Sequence, residues 1–279
     1  AAADRPAHVQ ADAGASLLPA EVSTAQGYEA EEDHRPGRGD ERLDLGDDLG
    51  AALSTALGLV ADGDPALAAI VGLSLRVSLT AVALAALVGL PLGALLAVAR
   101  FPGRRGVVVA LNALMGLPPV VAGLLIYLLL SRSGPLGEFG LLFTPAAMVV
   151  AQAMLIAPIL AALSRAALEE LWEEYSEQLR SLGAGPWRAV PTLLWDGRFA
   201  LLTVLLAGFG RASAEVGAVM VVGGNIEGFT RVMTTAIALE TSKGDLPLAL
   251  ALGVVLMAIV LSVNAAAQAA RDTAAKWAG

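Results

Sequence analysis

The sequence predicts an all-α polytopic membrane protein with about five transmembrane helices, and three observations carry that class. Hydrophobic residues make up 56% of the 279 residues, more than the roughly 45–50% of an ordinary soluble domain. Mean hydropathy is +0.68. The apolar residues are also clustered: 77–99, 106–131, 139–164 and 246–270 each run without one Asp, Glu, Lys or Arg. Each run exceeds the ~20 residues a bilayer-crossing helix needs. A fifth segment, 199–226, is long enough only with Arg211 and Glu215 inside it.

The net charge of −8 is unevenly placed. Residues 1–65 carry 14 acids against 4 arginines, whereas 66–279 carry 12 acids against 14 bases. The chain has no cysteine, which excludes disulfides and thiolate metal sites. Both histidines, His8 and His34, precede the apolar runs, so no histidine chemistry is expected in the membrane.

Residues 1–42 lack hydrophobic periodicity and are rich in charge, Gly and Pro, which predicts an acidic disordered tail. They do not read as a signal peptide, having no basic start followed by an apolar core. An amphipathic interfacial segment is expected over 43–75. Within it, Leu45, Leu49, Leu53, Leu57 and Val60 share one face of a short helix, and a second short piece, 66–75, leads into the membrane. The transmembrane domain is expected over 76–268. Its first helix covers 76–99, with Pro91 as a kink and Gly89 and Gly93 spaced for close helix contact. The second covers 107–130 and contains Pro118-Pro119, tolerated where neighbouring groups satisfy the freed carbonyls. The third covers 145–163, the fourth 199–222 and the fifth 246–268, with a polar loop and short helix at 223–245.

Orientation follows from the basic residues. Arg100, Arg104, Arg105, Arg165, Arg180, Arg188, Arg198, Arg271 and Lys276 fall on one side, against Arg132, Arg231 and Lys243 on the other. The positive-inside bias places the first group in the cytoplasm. The N-terminus is then outside, and 269–279 forms a cytoplasmic C-terminus.

The longest cytoplasmic connection, 164–198, places Leu168, Leu171, Trp172, Tyr175, Leu179 and Leu182 on one side of a helix. Gly183 and Gly185 break that helix, and Pro186 suits the first turn of another. A helix, a glycine turn and a short helix are expected. Composition alone leaves two readings open: an amphipathic loop helix with interfacial tryptophans, or a docking element for a cytoplasmic partner.

The stretch EQLRSLGAG (177–185) resembles the cytoplasmic signature of ABC importer permeases: Glu-Ala-Ala, three residues, Gly, nine residues, then Ile-x-Leu-Pro. Glu177 and Gly183 fit it and Leu193 takes the Ile position, whereas Gln178, Leu179, Trp195 and Asp196 depart from it. FPGRRGVVVALNALMGLPPVVAGLLIYLLLSRSGPLG (101–137) and GFGRASAEVGAVMVVGGNIEGFTRVMTTAIALETSKGD (208–245) closely resemble permease subunits of tungstate-type ABC importers. The resemblance runs from about 70 to 268. It implies the type I ABC importer permease fold, a homodimer of permeases, and two ATPase subunits that bind ATP and Mg below the membrane. It also implies an extracytoplasmic oxyanion-binding protein, and no role for nucleic acid. Carried onto this chain, the coupling element is 177–188, with Glu177, Leu179, Arg180, Leu182, Gly183, Ala184 and Arg188 meeting the ATPase. Leu179 and Leu182 would fill a pocket, and Arg180 and Arg188 would pair with acidic partner residues.

The chain itself has no phosphate-binding G-x-x-x-x-G-K-[ST] loop and no catalytic constellation, so it is not expected to be an enzyme or to hold a cofactor. A tetrahedral dianion needs a path of small residues and backbone dipoles with few fixed cations. Ser213, Gly217, Gly223, Gly224 and Asn225 have this character, and Thr230, Thr234 and Thr235 add hydroxyls. The same glycines also suit close helix packing. Arg211 and Glu215 stand four residues apart on one helical face, the spacing of a pair. Alternatively, Arg211 attracts the anion while Glu215 pairs elsewhere. Tungstate leads the substrate expectation, with molybdate, sulfate or another oxyanion as alternatives. A receptor or scaffold with an acidic extracellular tail is a different class. An ion-driven transporter would need more membrane-embedded carboxylates than Glu215.

Overall fold

The computed structural model of the protein describes residues 45–278 except 182 and 184, and these form ten α-helices. The acidic tail over 1–42 lies outside the described residues. Helix α1 spans Leu45–Ala61 and α2 spans Pro65–Val98. Between them Asp64 caps α2: its carboxylate accepts the Ala66 N–H at 2.9 Å, and Pro65 takes the first helical position. The expected short piece at 66–75 is therefore the first turns of one 34-residue helix. No Gly or Pro separates 75 from 76, so nothing in the sequence stops it. The α1 face expected to be apolar is largely open: Leu53, Leu57 and Val60 are exposed, while Ala56 is buried against α10 (Leu246–Ala278).

Helix α2 crosses α5 (Pro145–Ser181) at the centre of the molecule. Gly89 and Gly93 set the separation. A Cβ on Gly93 would collide with Ser164 Oγ and stand 2.6 Å from the Ala161 carbonyl, and one on Gly89 would lie 2.9 Å from the Ala157 carbonyl. Around this crossing Ala81, Ala85, Ile156 and Leu160 meet Val204 and Phe209 of α7 (Arg198–Ser213). Both long helices run through single prolines, Pro91 and Pro158, as membrane helices can when neighbours satisfy the lost bond.

Two expected spans are broken instead. The 107–130 segment forms α3 (Arg104–Met115) and α4 (Pro119–Leu130), bent by 100°. Pro119 forbids helical backbone at Pro118, which is extended at φ −60° and ψ 127°, and two adjacent residues lack an N–H. One proline is tolerated in α2 and α5; the pair ends the helix. The 199–222 segment stops at Ser213, and α8 (Gly217–Gly223) begins after a break at 214–216. Beyond it come α9 (Met233–Lys243) and α10. Helix α6 (Pro186–Asp196) leads into α7 with a 78° bend. Three unbroken helices, α2, α5 and α10, are long and apolar enough to cross a membrane, and the two bent pairs raise the number to as many as five.

Candidate functional site

The break at 214–216 is built around one carboxylate. Glu215 is 3% exposed, and its Oε2 accepts from Arg211 Nη1 at 2.6 Å. Its Oε1 accepts the Ala218 N–H at 3.1 Å, so the same group caps the start of α8. That position suits an anion, because the first N–H groups of a helix have no partner within it. Glu215 thus joins the end of α7 to the start of α8, and the four-residue spacing produces the pair. The Arg211 side chain is 34% exposed, so it is paired without being enclosed.

Other side chains support the break. Thr234 Oγ1 donates to the Glu215 carbonyl at 2.8 Å. Gln152 of α5 donates through Nε2 to the Ala212 carbonyl at 3.1 Å, a carbonyl at the end of α7. At the far end of α8, Thr230 Oγ1 donates to the Gly223 carbonyl at 2.6 Å and accepts the Ile226 N–H at 2.9 Å. Thr235 accepts the Val232 N–H at 3.1 Å and opens α9. The three threonines therefore satisfy backbone groups where helices end.

The small residues of this region divide by role. Gly217 lies against Val120 and Gly223 against Met148, where an added Cβ would stand 2.8 and 3.0 Å from their side chains. Both glycines stand in close contact with a neighbouring helix. Gly224 has φ +71° and Asn225 φ +49°, the left-handed geometry that ends α8 and turns the chain. Ser213 lines a cavity of about 20 Å³ with Ser74, Ser78, Gln152 and Thr234. That is room for about one water, not for a tetrahedral oxyanion. Gln152, whose Oε1 is buried and unpartnered among the described residues, was not singled out by the sequence pattern. Its signal was nonetheless present as a lone amide in an apolar run.

At the opposite end of α5 the expected helix, glycine turn and short helix are present. Gly183 has φ +74°, with nothing within 4 Å of where a Cβ would stand. Leu168, Trp172, Ala189 and Leu193 are buried together with Ala94, Ala97 and Val98 of α2, fixing α6 beneath the bundle. Leu171 and Leu179 pack against this cluster, so Leu179 faces its own core in part. Glu177 and Arg188 are exposed, and Arg180 belongs to the last turn of α5. Leu182 and Ala184 lie outside the described residues. The sequence pattern placed the apolar contact on Leu179 and Leu182; on α6 the large apolar side chains Trp187 and Trp195 are open, Trp187 being 75% exposed beside Arg188. Helix α3 is tied to the same end: Arg104 donates to Glu169 at 2.7 Å and to the Leu96 carbonyl at 2.8 Å, and Arg165 pairs with the same Glu169. Arg104 and Arg165, from two of the basic connections, thus meet on one carboxylate.

Residues 89–272 match the family model described as the binding-protein-dependent transport system inner membrane component. A probable anion ABC transporter permease protein of Haloferax volcanii is 41% identical over 211 residues, covering 74% of this chain and 91% of that protein. A tungstate uptake system permease protein of Peptoclostridium acidaminophilum is 41% identical over 210 residues, 75% of this chain and 92% of that protein. A molybdenum transport system permease protein of Escherichia coli K12 is 32% identical over 187 residues, 62% of this chain and 80% of that protein. With a broken, small-residue helix in the membrane and a packed helical knob at its basic end, the chain belongs to the family of binding-protein-dependent transport system inner membrane components, as an ABC-transporter permease subunit.

Proposed function

We propose that this permease passes an oxyanion across the cytoplasmic membrane, with tungstate ahead of molybdate and sulfate. The observation that carries the reading is 41% identity to a tungstate uptake permease over three-quarters of the chain. Two copies form the pathway, ATPase subunits holding ATP and Mg dock below, and an extracytoplasmic binding protein delivers the ion. The basic loops lie in the cytoplasm, the N-terminus outside, and the membrane domain occupies 76–268 between the tail and the C-terminus. In this arrangement 177–188 and the start of α6 form the docking surface, with Gly183 shaping the turn and Arg188 and Trp187 presented to the ATPase. The exposed Trp187 supports this, since a large aromatic beside a cation is the usual make-up of a protein-contact hot spot. In the membrane, the candidate path residues are Arg211, Ser213, Glu215, Gly217, Gly223, Gly224 and Asn225. The partly exposed Arg211 supports an anion path there, because it offers a cation already balanced by Glu215. Uptake by the reconstituted complex, measured with tungstate and competed by molybdate and by sulfate, tests the substrate. Tungstate uptake resisting a tenfold excess of sulfate is expected; uptake of sulfate in preference reverses the order.

A further inference from the structure

We propose that the groove between α2, α7 and α10 binds an anionic phospholipid, its acyl chain along the leucines and its phosphate between Arg198 and Arg271. The groove is open along one side and offers about 640 Å³, within the ~300–1,000 Å³ range of small-ligand sites. Leu87 and Leu90 of α2 and Leu202 and Leu205 of α7 line it, and the two arginines are its charged residues. Arg104, Arg165, Arg211 and Arg231 each pair with a glutamate. Arg198 and Arg271 have no carboxylate partner among the described residues. Arg198 Nη1 donates to the Trp195 carbonyl at 2.9 Å, and Arg271 Nη1 donates to Thr203 Oγ1 at 3.2 Å. Each guanidinium has five N–H donors in a fixed fork, so most remain for an anion.

The neighbourhood is that of a membrane interface. The Arg198 guanidinium, which lines the groove, lies 5.0 Å from the Trp195 ring centre and 4.7 Å from that of Phe199, and both rings help to hold it in place. Trp195 is 69% exposed where the apolar run of α7 meets the polar connection, the level at which tryptophans line bilayers. A free phosphate ion would use the arginines but not the leucines. A second protein chain would have to bring its own carboxylate to cover two uncompensated cations. A phospholipid supplies both the apolar chain and the charge.

The test is native mass spectrometry of the full chain released from nanodiscs containing equal phosphatidylglycerol and phosphatidylcholine with matched acyl chains. Each arginine is expected to favour the anionic lipid roughly fivefold, so the two together favour it roughly 5- to 25-fold. R271Q, at a contact with one exposed threonine, lowers the preference about fivefold, and R198Q/R271Q removes it. R198K/R271K restores most of it, and L202W, which fills the groove, lowers retention of both lipids. Equal retention by the wild-type chain overturns the proposal. So does an undiminished preference in R198Q/R271Q, undiminished lipid retention by L202W, or displacement of the bound lipid by millimolar inorganic phosphate.

Discussion

At the scale of single residues, Glu215 explains why an apolar segment carries two charges. Burial of an ionised carboxylate is costly unless it is paired and hydrogen-bonded; here Arg211 supplies the pair and the Ala218 N–H the second bond. The alternatives of a fold role and an anion role for Arg211 therefore do not divide cleanly. The arginine neutralises Glu215 and keeps part of its side chain exposed. R211Q leaves a buried charge without its cation and is expected to cost about 2–4 kcal/mol, discounted from the fully buried case because Arg211 is partly exposed. Glu215→Gln keeps an acceptor for Ala218 and should cost about 1–2 kcal/mol. The double variant R211Q/E215Q should be more stable than R211Q alone, since it removes the orphan charge. Thermal unfolding of the four purified proteins in detergent checks the order. If R211Q melts with the wild type, the pair does not hold the break together.

At the scale of elements, glycines and prolines decide where helices touch and where they stop. Gly93 is enclosed by the Ser164 hydroxyl and the Ala161 carbonyl of α5, so Gly93→Ala must push α2 and α5 apart. A loss of about 1–3 kcal/mol is expected, seen as a lower melting temperature and lower yield. Gly183 is the opposite case: space around it is open and only its positive φ is demanding. Asn tolerates that region better than other residues, so Gly183→Asn should keep ATPase co-purification. Gly183→Arg should lose it at normal permease yield. An Arg variant that still co-purifies its ATPase contradicts the docking role. The glycine spacing at 89 and 93 and the glycine turn at 183 were legible because each is a local pattern with a local cause. The double break was not. Hydropathy reports length and apolarity, and 107–130 and 199–222 satisfy both. What ends them is backbone chemistry: Pro119 acting on Pro118, and a buried carboxylate finding unpaired N–H groups three residues on.

At the scale of the whole molecule, the all-α membrane class and the packed knob at one end were readable from composition, charge and spacing. Which apolar side chains of the knob stay open was not, because Leu179 and Trp187 are both apolar in sequence and only the fold packs one in part against the Leu168 and Trp172 cluster and leaves the other exposed. Gln152 was hidden for the same reason: its partner, the Ala212 carbonyl, is 60 residues away. Under the proposed function, motion from a partner ATPase enters through this knob and moves an oxyanion through the broken-helix region. Proteoliposomes containing the permease and its ATPase, with binding protein outside and ATP inside, test it directly when run with the wild-type chain and Trp187→Ala. ATP-dependent tungstate accumulation by the wild type is expected. At least a tenfold loss is expected in the variant, equivalent to about 1.4 kcal/mol of docking energy, with the melting temperature unchanged. Full accumulation by Trp187→Ala, or none by the wild type, would contradict it.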